Sequence, residues 1–262
     1  MDFTIILGVL GGLAVILYGV RGPEQGIFFV KTAEPLIIVI GGTIAATLIH
    51  IPINQIIRIF GVLKAAFSLK RIKQITIINQ IVEMAKKAKK EGFLALEGEL
   101  GKIQEPFLHK GITLVMMGED AKVIEEVLQR ELTALEERHD LGQAIFSNMA
   151  KYSPSFGLIG TVAWLVLSLA KGGMQDPAKI GVGIAEAMKC TFFGILMSYL
   201  VYLPIAGRLK IKSQEEIINK EMMIIGVLAI KEGVNPSVVQ EKLSAFLSPR
   251  YRRKLQKMTK GE

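Results

Sequence analysis

Four long apolar stretches interrupt an otherwise highly charged chain. They cover Thr4–Val20, Leu36–Ile53, Tyr152–Ala170 and approximately Ile180–Ala206. Each has roughly the 20 residues that an α-helix needs to cross the hydrocarbon core of a bilayer. The pattern therefore predicts an all-α integral membrane protein with four transmembrane helices. Because none of the four carries a carboxylate near its middle, a protonatable group at mid-membrane, if the function requires one, has to come from another chain.

The polar segment between the second and third apolar stretches has a helical pattern throughout. Apolar residues recur at helical spacing between Ile75 and Ala85, and a cluster of lysines follows. Three glycines, Gly92, Gly111 and Gly118, are expected to break the helices. A new helix is predicted over Phe93–Leu100 and a long amphipathic one over Glu119–Phe146. We therefore expect a large helical insertion between two transmembrane hairpins.

The charges predict how these segments are arranged across the membrane. Lysine and arginine flank the inner ends of the second and fourth apolar stretches, and such residues favour the cytoplasmic side. We predict a first hairpin at residues 1–54, a cytoplasmic domain at 55–147, a second hairpin at 148–206 and a cytoplasmic tail at 207–262. Both termini are then cytoplasmic and both short connectors external. The net charge of +8 fits contact with anionic lipid.

Several classes of function find no support in the residues. The basic tail, Arg250–Lys260, lacks the motifs and interleaved aromatic residues of a nucleic-acid-binding segment. The single cysteine, Cys190, excludes an internal disulfide framework and is interpreted as a small packing residue. No catalytic arrangement of residues and no metal-ligand spacing is present, and the three histidines are scattered along the chain. We therefore predict neither an enzyme nor a cofactor.

The last two apolar stretches contain the polar residues that are candidates for function. Pro154 and Pro204 weaken their helices, and we expect them at matching depth near the cytoplasmic ends, where they form a hinge. Glu186 and Lys189 share a helical face near the outer end. They are read either as an ion pair whose lysine snorkels to the interface or as part of a polar lane across the membrane. The hydroxyls of Thr161 and Thr191 both come to about the middle of the bilayer.

Short motifs in a fixed order resemble a known family. They are Gly41-Gly-Thr43, Gly92-Phe-Leu-Ala-Leu-Glu97, Gly118-Glu-Asp120, Ser153-Pro-Ser-Phe-Gly-Leu-Ile-Gly-Thr-Val162, and Thr191-Phe-Phe-Gly194 with Pro204. In this order the chain resembles the MotA/PomA family of membrane-embedded flagellar stator subunits, within the superfamily that includes ExbB and TolQ. The resemblance covers nearly the whole length.

The resemblance implies partners and an assembly. In this family the ion-binding aspartate lies on a single-span partner of the MotB or PomB type. Five copies of the four-span subunit are expected around a dimer of that partner in the bacterial cytoplasmic membrane. A charged pair eight residues apart is expected to contact the rotor protein FliG. Glu97 and Lys89 match that spacing, with lysine in place of the family's arginine, and Lys90 can share the contact.

The resemblance also implies an ion pathway, made of Thr161, Cys190, Thr191 and Ser198. The family's Thr-Thr element reads Cys190-Thr191 here, and Tyr199 stands where asparagine is often found. A thiol in place of a hydroxyl removes a hard oxygen ligand for Na⁺, so we predict H⁺ over Na⁺ as the transported ion. The alternative function is an ExbB/TolQ-like energiser of an envelope machine. That alternative conflicts with the first hairpin, because ExbB-type chains usually have three spans.

Overall fold

The computed structural model describes residues 3–19, 33–52, 61, 74–170 and 177–260. Most of the two predicted external connectors and of the basic segment after the second apolar stretch lies outside these residues. The described part of the chain is helical. The helices are α1 (Phe3–Gly19), α2 (Ala33–His50), α3 (Gln74–Glu91), α4 (Glu97–Leu100), α5 (Pro106–Met116), α6 (Ala121–Ala170), α7 (Pro177–Met197), α8 (Leu203–Lys231), α9 (Pro236–Ser244) and α10 (Pro249–Lys260).

Two short segments of different helical geometry join these helices. A 3₁₀-helix, Phe93–Leu96, lies between α3 and α4, and a π-helical turn, Ser198–Tyr202, links α7 to α8. The third apolar stretch is the second part of α6, which is one uninterrupted helix of 50 residues. Two of the described helical runs, Ala121–Ala170 and Ile180–Lys231, are long and apolar enough to cross a membrane, and Leu7–Ile16 and Glu34–His50 are shorter apolar segments.

The chain divides into two compact units. The first consists of Met1–Leu69 and His139–Ile211, and the second of Lys70–Arg138 and Lys212–Glu262. The helices α6 and α8 contribute to both. We call the first the apolar unit and the second the polar unit.

The polar unit has a hydrophobic core of its own. Side chains from α3, α5, α8 and α9 and from the first part of α6 pack together there. Fully buried members include Ile78, Leu108, Leu128, Val227 and Leu243. The helix α3 is amphipathic: its buried residues recur at helical spacing and face this core, and its lysines face outward.

The three glycines expected to break helices behave in two different ways. Gly92 and Gly118 have φ angles of 83° and 85°, which other residues rarely adopt, and they end α3 and follow α5 as predicted. The prediction for Gly111 is wrong, because this residue lies inside α5. A Cβ atom at Gly111 would lie 2.8 Å from a methyl group of Val227. Gly111 therefore serves close packing of α5 on α8.

In the apolar unit, α6 and α7 approach so closely that their backbones touch. A Cβ atom on Gly194 would lie 2.8 Å from the Ser153 carbonyl oxygen and 3.0 Å from the Cα of Gly157. A Cβ atom on Gly157 would lie 2.8 Å from the Cys190 carbonyl oxygen. Small residues allow this approach between membrane helices. The helix α2 also packs on α7.

This crossing generates the first prediction. Gly194→Ala should destabilise the assembled protein by about 1–3 kcal/mol, because the new methyl group meets backbone atoms that cannot rotate away. Gly207→Ala is the matched control, since a Cβ atom there has nothing within 4 Å. The measurement is the thermal unfolding midpoint of the detergent-solubilised protein. Equal midpoints for the two variants would contradict the close crossing.

Candidate functional site

The hydroxyls of Thr161 and Thr191 meet between α6 and α7. Their Oγ1 atoms are 2.6 Å apart. Thr161 Oγ1 also lies 2.9 Å from the Gly157 carbonyl oxygen and 3.0 Å from that of Ala187. The structure therefore brings together the two hydroxyls that the sequence placed at similar depth, and it does so beside the glycine crossing.

The direction of the hydrogen bond within this pair follows from the number of protons. A threonine hydroxyl has one proton and two acceptor sites, and a carbonyl oxygen only accepts. Thr161 therefore gives its proton to a carbonyl, and Thr191 donates to Thr161. The lone pairs of Thr191 stay available. Thr161 is buried and Thr191 is half-buried, so Thr191 is the more exposed residue of the pair.

Cys190 and Ser198 do not join the threonine pair. The Cys190 side chain is fully buried, and a Cβ atom on Gly160 would lie 2.9 Å from its sulfur. This position agrees with a packing role. Ser198 lies seven residues beyond Thr191, or roughly 10 Å along the helix axis at 1.5 Å per residue. Its Oγ donates to the Ala150 carbonyl oxygen at 2.7 Å.

The prediction that Pro154 and Pro204 lie at matching depth is wrong. Pro154 stands opposite Gly194, because a Cβ atom on that glycine would lie 3.2 Å from the Pro154 Cα. Pro204 follows Gly194 by ten residues, which is about 15 Å along a helix. The contact between Gly157 and Gly194 sets the register of the two helices, and that register separates the prolines.

Ser153 forms a further link between the two helices, which the sequence reasoning missed. Its Oγ donates to the Gly194 carbonyl oxygen at 2.9 Å, and its side chain is buried. The only signal for it was its place inside the motif before Pro154. His50, at the end of α2, was also missed. Its ring nitrogens lie 3.0 Å from the Tyr152 hydroxyl and 3.3 Å from the Asn148 amide nitrogen, so it ties α2 to α6.

The Glu186–Lys189 pair is internal. Lys189 Nζ lies 2.7 Å from Glu186 Oε1, and the lysine side chain is only 2% exposed. The interpretation as a lysine that snorkels to the interface is therefore wrong, because the packing of α7 against its neighbours covers the ammonium group. Glu186 Oε2 is buried and has no hydrogen-bond partner among the described residues. Burying ionisable groups in a membrane-spanning segment costs free energy, and such groups usually face the interior of a helix bundle.

Lys89, Lys90 and Glu97 lie in the polar unit, where α3 turns through Gly92 into the 3₁₀-helix and α4. All three side chains are exposed, and none forms an ion pair with the described part of the chain. Their neighbours differ, because Glu99 pairs with Lys87 at 3.1 Å and with Lys102 at 2.9 Å. Hydrogen bonds from Lys102 and then Lys87 lower the pKa of the Glu99 carboxyl group. Lys89, Lys90 and Glu97 thus stay available to another molecule.

The chain is similar to proteins of known role along nearly its whole length. Residues 99–222 match the model of the MotA/TolQ/ExbB proton channel family. The chain is 36% identical to the chemotaxis protein PomA of Vibrio alginolyticus, over 95% of this chain and 96% of that protein. It is 34% identical to motility protein A of Bacillus subtilis, over 97% and 94%. The chain belongs to the MotA/TolQ/ExbB proton channel family.

A solved structure agrees with this assignment. The flagellar MotAB stator complex from Bacillus subtilis superposes with a TM-score of 0.89 at 30% identity, covering 97% of this chain and 99% of that chain. The predictions of family membership and of a stator subunit role are confirmed. The family is one of proton channels and not of enzymes.

The threonine pair generates the second prediction. Thr191→Val keeps the shape of the side chain and removes only the hydroxyl, so ion flux and motility should fall strongly. Thr191→Ser should retain most of both, because the oxygen remains. Thr161→Ala should have a smaller effect, since Thr161 orients the proton of Thr191 and is itself buried. Swimming speed and ion uptake by energised cells are the measurements, and normal values for Thr191→Val would exclude a role in the ion path.

Proposed function

We propose that this chain is the ring-forming subunit of a flagellar stator and couples inward proton flow to rotation. The observation that carries the proposal is the Thr161–Thr191 pair. Its oxygens lie in a narrow crossing, and the one carboxylate on α7, Glu186, is already paired with Lys189. The ion-binding carboxylate has to come from a partner. A single-span subunit of the MotB type is that partner, and a MotAB complex is among the solved structures this chain resembles.

The proposed topology has four spans, formed by α1, α2, the second part of α6, and α7 with the beginning of α8. The polar unit and both termini then lie in the cytoplasm of a bacterial cell, beneath the inner membrane. The distribution of lysine and arginine supports this orientation. Two apolar helices before the polar unit favour a motor subunit over an ExbB/TolQ-like energiser, and so do the motility proteins that match along nearly the whole chain.

Assembly as a ring of five copies around a partner dimer is part of the proposal. The apolar unit exposes many large hydrophobic side chains on α6 and α7. They include Leu158, Ile159, Val162, Val166, Val182, Ile184 and Met188. Such a surface requires lipid, neighbouring copies or a partner helix around it. This need supports an oligomer whose spans contact both lipid and other subunits.

We assign the rotor contact to Lys89, Lys90 and Glu97. They are exposed at a tight turn of the polar unit and are not used by ion pairs within the described chain. Charged groups of this kind steer association with a complementary surface and set its rate. The rotor protein FliG is the proposed partner for this surface.

The third prediction tests the function as a whole. Expressed with its MotB-type subunit in cells that lack their own stators, this chain should restore swimming. Because protons are the proposed ion, swimming speed should be the same with and without sodium and should be lost when a protonophore collapses the proton gradient. Restoration that depends on sodium would contradict the choice of ion. Assembly with the partner but no swimming would contradict the rotary function.

The fourth prediction tests the rotor surface. Lys89→Glu and Glu97→Lys should each reduce swimming and FliG capture, because charge reversal turns an attractive contact into a repulsive one. Lys122→Glu, on the exposed face of α6 in the same unit, is the matched control and should have little effect. Membrane insertion is checked by fractionation. Normal motility of both reversals would place the rotor contact elsewhere.

A further inference from the structure

Pro154 leaves one carbonyl oxygen of α6 without its usual donor. In an α-helix the N–H of each residue donates to the carbonyl four residues earlier, and proline has no N–H. The carbonyl affected by Pro154 is that of Ala150, inside a continuous helix. An unpaired carbonyl costs free energy wherever water is absent, and within a bilayer it has to be satisfied by protein.

Ser198, on the neighbouring helix, supplies the missing donor. Its Oγ lies 2.7 Å from the Ala150 carbonyl oxygen, and its side chain is only 3% exposed. In the opposite direction, Ser153 donates from α6 to the Gly194 carbonyl oxygen of α7 at 2.9 Å. Both bonds lie within the turn of α6 that precedes Pro154, and they join α6 to the end of α7 and to the first residue of the π-helical turn. We call Ser153 and Ser198 with their two acceptor carbonyls the serine clasp.

Ser198 is also the first residue of the π-helical turn that precedes Pro204. The Leu203 N–H donates to the Ser198 carbonyl oxygen, five residues earlier, so this turn contains one residue more than an α-helical turn. In regular α geometry Pro204 would face the Leu200 carbonyl without a proton to give. Single π turns of this kind are frequent at functional sites. Ser198 is thus bonded at both irregular segments. Its hydroxyl donates to the Ala150 carbonyl, which Pro154 leaves without a donor, and its own carbonyl accepts from Leu203 just before Pro204.

We propose that Ser198 is a positioning residue for torque generation, and that its hydroxyl replaces the backbone donor that Pro154 lacks. A side-chain hydroxyl can follow the Ala150 carbonyl as α6 bends, whereas a backbone N–H in a rigid helix cannot. The clasp therefore lets α6 flex at Pro154 without leaving a bare carbonyl in the membrane. It also transmits that bend to the π-helical turn and so to Pro204, six residues beyond Ser198, or about 9 Å along the helix. Ser198 accordingly acts through the helices and not on the ion.

The fifth prediction is a double-mutant cycle on the purified complex. Ser198→Ala should lower the thermal unfolding midpoint by several degrees in the natural background. In a Pro154→Ala background the same change should have almost no effect, because the substitution restores a backbone N–H that donates to the Ala150 carbonyl. Ser155→Ala is the matched control, since among the described residues the Ser155 hydroxyl bonds only within α6, to the Lys151 carbonyl. The change in unfolding midpoint caused by Ser155→Ala should be small, and it should be the same in both backgrounds.

The outcomes separate the proposal from simple packing. Equal loss from Ser198→Ala in both backgrounds, or no loss in the natural one, overturns it. If Ser198→Ala does not assemble, recovery of assembly in the double variant supports the proposal and continued failure contradicts it. A second readout is torque, which should fall for Ser198→Ala in complexes that still assemble. That readout alone rests on the proposed stator function, so a failure of the function leaves the stability cycle interpretable.

Discussion

The structure of the apolar unit depends on one constraint, which is that backbone groups inside a bilayer find partners only within protein. Regular helices meet this requirement by themselves. The helices α6 and α7–α8 do not, because each contains a proline within its apolar stretch. Their backbones are brought into contact by glycine, and serine side chains then reach across to the carbonyl groups. The close approach of the backbones and the serine hydrogen bonds together satisfy these backbone groups within the protein.

The same close approach brings the two threonine hydroxyls together. Because Gly157 and Gly194 let the backbones touch, Thr161 can reach both its own helix and the Ala187 carbonyl. That contact orients the Thr161 proton and leaves the Thr191 oxygen open. A looser crossing would separate the two hydroxyls by the width of a side chain, and each would bond to its own helix, as Thr43 and Thr47 of α2 do.

Charge is used in opposite ways in the two units. In the apolar unit, Lys189 is buried and paired with the partly buried Glu186, because an isolated charge in a low-dielectric interior is very costly. In the polar unit, Lys87 and Lys102 both pair with Glu99, whereas Lys89, Lys90 and Glu97 remain exposed a few residues away. A surface that keeps unpaired charges beside satisfied ones is suited to transient contact with a charged partner.

Much of the architecture could be predicted from the sequence, because hydropathy and periodicity are local properties. Apolar stretches of sufficient length, the amphipathic pattern of α3, and glycines at positive φ all leave signals within a few residues. The motifs around Pro154 and Thr191 were likewise visible as residue types suited to tight helix packing and ion passage. Gly111 shows the limit, since the same residue type serves a turn at Gly92 and a helix contact at position 111.

Tertiary structure alone decided which of these residues meet. The register of α6 against α7 comes from contacts between residues almost 40 positions apart, and no local pattern encodes it. That register joins Thr161 to Thr191, places Pro154 opposite Gly194 and not level with Pro204, and directs the Ser198 hydroxyl to Ala150. Lys189 is likewise buried only in the folded chain. The sequence by itself determined the helices and the residue types available to them, and packing determined their partners, because hydrogen bonds depend on distances that only the folded chain defines.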